Sequence, residues 1–273
     1  MQISVIIPTY NRVAMLGRAI DSVLAQTTPA DEIIVVDDGS DDDTKIFVGA
    51  CYPQITYLYQ AHAGVSAARN HGFRFADGDW MALLDSDDAW QPTKLTEQLA
   101  LARQSPELRL IHSDELWFRN GKPLAQQDHH RKRGGWIFDD CLPRCVISPS
   151  AVLLRRELIQ QHQGFDEQLP ACEDYDLWLR VCAHEPVGFV ETPLVRKYGG
   201  HADQLSRTVP ALDQYRIKVL ARLIDDGLLN DEQVEATRAT LARKLNIYIS
   251  GARRRGHQQE VRQHVDLQCR LNL

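Results

Sequence analysis

Two short acidic clusters dominate the chemistry that this chain offers. Asp37-Asp38-Gly39-Ser40 follows the apolar run Ile33 to Val36, and Asp85-Ser86-Asp87-Asp88 follows Trp80 to Leu84. Such runs read as buried β-strands, and in open α/β sheets ligands sit just beyond the carboxyl ends of strands. Carboxylates crowded into one crevice repel each other, and burial penalises their charge further. A divalent cation relieves both costs. An all-oxygen donor set selects Mg²⁺ or Mn²⁺ over zinc, and such ions usually bridge one or two carboxylates to substrate phosphates. The pattern therefore points to a phosphorylated substrate. Asp41, Asp42 and Asp43 are read as turn and cap residues.

Elements that position these residues can be read from hydrophobic periodicity. Ile3 to Ile7, Ile33 to Val36, Ile55 to Tyr59, Trp80 to Leu84 and Leu108 to His112 read as strands. Helical spacing links Val13, Leu16, Ile20 and Val23. Ser66 is positioned to cap a helix carrying Ala67, Ala68 and Asn70, and Pro92 to open one carrying Leu95 and Leu99. Alternation of strand and helix implies an α/β fold with a largely parallel sheet. Ser148 to Leu154 reads as another strand and Asp174 to Ala183 as a helix. Residues 119–136 have few apolar anchors and read as a mobile loop. From Pro210 onward the pattern is helical, so the expected organisation is a domain over 1–206 and a helical extension over 207–273.

Composition narrows the function. The 273 residues carry 31 Lys and Arg against 37 Asp and Glu, a formal net charge of −6, with 44% hydrophobic residues. That balance fits a folded globular chain and argues against a nucleic-acid binder. No apolar run is long enough to span a membrane, and the start, Met-Gln-Ile-Ser-Val-Ile-Ile-Pro, reads as a strand and not as a signal peptide. Six cysteines in 273 residues are read as free thiols of a reducing compartment. Cys141 and Cys145 lack the second matched pair that a zinc site needs. The turn after the first strand is Pro8-Thr9-Tyr10-Asn11, where a nicotinamide enzyme would carry Gly-x-Gly-x-x-Gly, and there is no P-loop. The expected location is the cytoplasm.

Five segments in order, Ser4 to Asn11, Val35 to Ser40, Gly64 to Asn70, Leu84 to Asp88 and Glu173 to Trp178, together resemble the family 2 glycosyltransferases. The resemblance covers residues 1 to about 206. It implies a GT-A-like fold: a mixed, mainly parallel sheet flanked by helices, here with a C-terminal helical appendage. It also implies a nucleotide-sugar donor, UDP-linked by preference, a divalent metal and inversion at the anomeric carbon. Carried over by motif, Pro8, Thr9, Tyr10 and Asn11 line the nucleotide pocket, and Asp38 accepts a hydrogen bond from the base. Arg69 lies near base or phosphates, Asp85 and Ser86 near the ribose or metal, and Asp87 ligates the metal. Asp174 is the catalytic base, with Asp176 as its rival. His201, in Tyr198-Gly199-Gly200-His201, resembles a late metal-side histidine. Trp90 and Trp178 are candidates for stacking on a sugar, with core packing the favoured reading of Trp178 at i+4 from Asp174, and Arg131 to Gly135 is a candidate for closing over the diphosphate or else a solvated charge run. The implied acceptor is a glycan or lipid-linked glycan of a bacterial surface polysaccharide or lipopolysaccharide. Arg253-Arg254-Arg255 then offers peripheral contact with the cytoplasmic face of the inner membrane. The alternative is a catalytically inactive relative that binds nucleotide-sugar or glycan within an assembly complex.

Overall fold

The computed structural model describes residues 1–127, 130–200, 209 and 211–273. Among these residues nine strands form one sheet in the order β3-β2-β1-β4-β8-β6-β9-β5, with β7 paired to β6. The strands are β1 (Ile3–Thr9), β2 (Glu32–Asp37), β3 (Thr56–Tyr59), β4 (Trp80–Leu83), β5 (Ala89–Trp90), β6 (Leu110–Arg119), β7 (Lys122–Leu124), β8 (Leu153–Arg155) and β9 (Gly188–Gly199). The first four are mutually parallel. β8 runs against both β4 and β6, β9 is parallel to β6, and β5 is an antiparallel edge on β9. The sheet is thus mixed and mainly parallel, as the alternating pattern implied.

Register decides what the strands deliver. Thr9 pairs with Asp37 and Ile6 with Leu83. Tyr10, Asp38 and Asp85 therefore leave the sheet at one edge.

Helices cover both faces. α1 (Val13–Leu24) and α4 (Lys94–Gln104) lie on one side, where Leu16, Ile20, Leu95 and Leu99 pack against Val5, Ile7 and Trp80. α2 (Thr44–Cys51) follows β2. On the other side lie α3 (Val65–Phe75), α5 (Phe138–Cys141), α6 (Arg156–Gln161) and α7 (Glu173–Cys182). α3 packs unusually close to β1, because a Cβ on Gly72 would stand 2.5 Å from the Ile6 side chain. The C-terminal helices are α8 (Asp213–Asp225), α9 (Asp231–Arg254) and α10 (Gln258–Arg270). Asn230 and Gln233 form a reciprocal capping box that starts α9. Leu241, Leu245 and Tyr248 of α9 join the same core as Leu177, Trp178 and Leu179 of α7. The helical extension therefore braces the helix that begins with Glu173-Asp174.

Three expectations change. The described residues of the 119–136 stretch, which exclude 128 and 129, are not one loose loop: β6 runs on to Arg119 and turns back as β7. The Arg131 to Gly135 stretch is pinned to the sheet. Lys132 forms a 2.9 Å ion pair with the buried Glu115, Arg133 binds Asp140 at 2.5 Å, and Gly135 pairs with Val187. Its anchors are polar, which is why apolar spacing did not show them. Trp90 and Trp178, the candidates for sugar stacking, are buried at 4% and 1% exposure. Trp90 donates to the Ser150 carbonyl and Trp178 packs edge-on to Phe165. Ser148 to Leu154 is only partly a strand, since a 3₁₀ turn occupies Pro149–Ala151.

Candidate functional site

The acidic turn after β4 is the centre of the site. The Asp85 N–H donates to Ser150 Oγ at 3.1 Å, and Ser150 Oγ in turn donates to Asp88 Oδ2 at 2.6 Å. Asp88 also accepts from the Tyr198 backbone N–H at 3.0 Å. Asp88 is thus the anchor that fastens the turn to the 3₁₀ segment and to β9. Burial pushes its carboxyl well above the ordinary range, and Asp87 and Asp85 add to that. Ser86 is buried in the same turn. Asp85 and Asp87 keep partial exposure.

Each of those two acids has a cation. Arg69, on α3, is 3% exposed and donates to Asp85 Oδ1 at 2.7 Å and to Glu173 Oε1 at 2.7 Å. Burial alone would lower its pKa, but the two acids raise it. Glu173 moves up, through burial and through its neighbour Asp174, while Arg69 opposes that rise. Arg12, at the start of α1, reaches Asp87 Oδ2 at 3.0 Å, and Arg18 donates to the Asp87 carbonyl at 2.5 Å while stacking 3.9 Å over the Tyr198 ring.

A third cation lies between the clusters. Lys197, on β9, donates to Ser148 Oγ at 2.6 Å. Loss of water would lower its pKa, yet Glu115, Asp88, Asp85 and Asp174 together raise it. Asp85 and Asp174 therefore share one electrostatic neighbourhood although α7 lies far from β4 in sequence. Glu115 is held down to about 2, since Lys132 and Lys197 outweigh its burial.

Asp174 sits in the first turn of α7, after Cys172 in the left-handed conformation (φ 64°). It is partly exposed, and one oxygen accepts from the Tyr175 N–H at 2.7 Å. The Cys145 thiol lies beside it: burial, then Asp174, push that thiol well above its usual value. Asp176 differs completely. It is fully buried and ion-paired to Arg180 at 2.8 Å and to Arg222. It ties α7 to α8 and has no open face for an acceptor.

The ends of β1 and β2 form a second polar cluster. Thr9 is buried, with its hydroxyl unpartnered, and Pro8 is buried below it. Asn11 N donates to Ser40 Oγ at 2.9 Å, and Asn11 Oδ1 accepts from Asp41 N at 2.8 Å. Asp37 is consumed by the Ser40 N–H and the Tyr57 hydroxyl. Asp38 accepts from Gln60 Nε2 (2.7 Å), Ala63 N (2.9 Å) and Gly64 N (2.8 Å), and His62 Nδ1 stands 2.8 Å from its Oδ2. Tyr10, 39% exposed, stacks on the His62 ring.

Asp38, Asp85, Asp87 and Asp174 thus gather at one end of the sheet, together with Tyr10, Asn11 and Arg69. Arg69 is a buried clamp between two acids. His201 lies outside the described residues. Sequence reasoning passed over Arg12, Arg18, Glu115 and Lys197. Arg12 directly follows Asn11, and Lys197 directly precedes Tyr198, so both adjoin motifs already singled out; nothing in the spacing marks Glu115. No group of three acids, histidines or cysteines able to hold a metal ion is formed among the described residues. No helix among them is long and apolar enough to cross a membrane.

Comparison with known proteins gives one consistent picture. The family model described as glycosyl transferase family 2 matches residues 4–161. An uncharacterized glycosyltransferase of Rickettsia bellii is 31% identical over 220 residues, which is 77% of this chain but 31% of that protein. The chain thus spans under a third of that relative. A putative teichuronic acid biosynthesis glycosyltransferase of Bacillus subtilis, TuaG, is 32% identical over 185 residues, 66% of this chain and 71% of the relative. Among solved structures, residues 1–349 of S. aureus TarS in complex with UDP-GlcNAc align with a TM-score of 0.72 at 20% identity, covering 96% of this chain and 76% of that one. A mannosyltransferase of Pyrobaculum calidifontis in complex with GDP-Man and Mn²⁺ aligns at 0.65 and 17% identity, covering 97% and 84%. At these identities the two structures establish the fold, a GT-A arrangement.

Proposed function

Because the chain belongs to glycosyl transferase family 2, we propose that it transfers a sugar from a nucleotide-sugar, by preference a UDP-sugar, to a hydroxyl acceptor with inversion at the anomeric carbon. One observation carries this reading. Arg69 joins Asp85, on the turn after β4, to Glu173, the neighbour of Asp174. A donor-side acid and an acceptor-side acid are thereby held across one crevice.

Tyr10, Asn11 and Asp38 lie where the nucleoside would sit, with Pro8 and Thr9 beneath and Ser86 within the adjoining turn. Arg12 and Arg18 flank Asp87 and supply positive charge for a diphosphate. The donor chemistry of the turn fits a hard divalent cation, Mn²⁺ or Mg²⁺: its side chains are carboxylates, and those of Asp85 and Asp87 keep partial exposure. Asp87, with Asp85 beside it, would hold that ion, and His201 is the further ligand the sequence suggests. When bound, the cation offsets the charge that develops on the departing diphosphate. Asp174 then takes the proton of the acceptor hydroxyl as the new bond forms. A single displacement of this kind inverts configuration. A carboxylate that attacked the sugar itself would retain it.

Similarity to TuaG supports an acceptor in a bacterial surface polysaccharide. Residues 1–206 would carry the chemistry and 207–273 would brace α7 from behind. The location proposed is the cytoplasmic side, with Arg253 to Arg255 touching the inner membrane where the acceptor is lipid-linked.

The deciding experiment measures UDP release from UDP-sugars with Mn²⁺, for wild type and Asp174→Asn. Catalysis predicts release by the wild type, and loss of it in the variant with donor binding kept. Donor binding without release by either protein would instead mark an inactive sugar-nucleotide binder.

A further inference from the structure

The His62 imidazole does in this structure what a nucleobase would have to do. Its ring lies parallel to Tyr10, with centroids 4.1 Å apart and planes 22° apart. Its Nδ1 stands 2.8 Å from Asp38 Oδ2 and 3.1 Å from the Asp38 carbonyl oxygen, so the Nδ1–H tautomer points its proton at Asp38. Uracil offers the same two features, a flat face and an N–H in its plane. The other donors to Asp38 are backbone N–H groups of Ala63 and Gly64 and the Gln60 amide. These fix the loop and do not fill the face of Tyr10. A carboxylate offers about four acceptor positions; these donors take three, and His62 Nδ1 stands beside the remaining one on Oδ2.

We propose that His62 is an internal stand-in for the nucleobase, which seats itself on Tyr10 and Asp38 in the free protein and is displaced when a nucleotide enters. The proposal rests on the reading that Tyr10 and Asp38 form the base seat. Displacement is feasible because only the side chain needs to move: the ring is 56% exposed, while its backbone is fixed. The N–H groups of Ala63 and Gly64, both bound to Asp38, provide that fixing, and Gly39 (φ +85°) leaves the room the close approach needs, since a Cβ there would stand 2.8 Å from His62 N. The loop thus stays in place while the ring rotates out. The consequence is a tax on affinity, because only molecules with the ring displaced can bind the base.

The test compares binding of UDP, uridine and inorganic pyrophosphate, each with Mn²⁺, to wild type, His62→Ala, His62→Phe and Tyr10→Ala, with thermal melts to confirm folding. Removing the plug should tighten UDP and uridine by the same factor, about fivefold or more, and leave pyrophosphate unchanged. His62→Phe keeps a stacking ring but no donor, so its gain should be smaller. Unchanged or weaker UDP binding in His62→Ala, alongside weakened binding in Tyr10→Ala, overturns the stand-in while the base seat survives. UDP binding that Tyr10→Ala leaves untouched removes the seat, and the stand-in with it.

Discussion

Asp85 and Glu173 accept from opposite nitrogens of the same buried guanidinium, that of Arg69, each at 2.7 Å. The strand-end acid and the acid next to Asp174 are therefore positioned by one rigid fork. Lysine cannot reproduce it, because an ammonium is a point charge without paired planar donors.

Arg69→Met should accordingly leave two acids uncompensated and lower stability by about 3–5 kcal/mol, the range for breaking a buried pair by removing one partner. Arg69→Lys should recover part of that stability and little turnover. Urea denaturation of both variants, with UDP release measured on the folded protein, checks the split. Equal turnover in Arg69→Lys and wild type would show that the fork does not align the site.

Asp174 and Asp176 should respond in opposite ways. Asp174→Asn removes the proton acceptor and should lower transfer about a hundred- to ten-thousandfold with little change in melting temperature. Asp176→Asn breaks ion pairs to Arg180 and Arg222 in the core and should destabilise the fold. The fraction that remains folded should still turn over. Melting curves and turnover per folded molecule separate the two.

How much of this arrangement was legible beforehand differs by residue. Apolar periodicity placed β1, β2 and β4, because buried parallel strands read as continuous apolar runs. The acids at their ends followed directly. The Arg131 to Gly135 strap was misread as loose, since what holds it is the Lys132–Glu115 ion pair and the hydrogen bond between His112 and the Arg133 carbonyl. Polar pairs between distant segments have no period. Lys197 escaped for the same reason: its role comes from Ser148 and from acids on three other segments. Trp178 was legible as core through its spacing from Asp174, and Trp90 only through the Ser150 carbonyl that its indole meets.

Acid should destabilise the protein early, and His112 is a main cause. Burial, then Lys132, push its pKa from 6.5 down to about 3, against the Arg133 carbonyl, which pulls upward. The unfolded chain takes up a proton near pH 6.5 and the folded chain does not until about 3. Above 6.5 the group adds no pH dependence. As pH falls from 6.5 toward 3, stability declines by at most about 1.4 kcal/mol per unit for this one group. His112→Phe should flatten the curve in that window, leaving the smaller slope from His162, whose pKa is pushed down to about 4. Urea midpoints at pH 7.5, 6.5, 5.5 and 4.5 measure it. An unaltered slope in His112→Phe would show that this imidazole is not the group that titrates.

Asp87 is where the proposed cation and the observed arginine compete. Arg12 stands 3.0 Å from its carboxylate, so an ion entering here must share or replace that pair. A ligand that binds only the folded state raises its stability by mass action, about 2.7 kcal/mol at a hundred times its Kd. UDP with Mn²⁺ should therefore give a larger rise in melting temperature than UDP alone. Asp87→Ala should remove most of that metal-dependent increment and keep the increment from UDP itself, because the base seat at Tyr10 and Asp38 is intact. Mn²⁺ titration followed by electron paramagnetic resonance, with and without UDP, reads the same loss directly. Undiminished Mn²⁺ binding in Asp87→Ala would move the metal away from this turn and leave Asp87 as a partner for Arg12 alone.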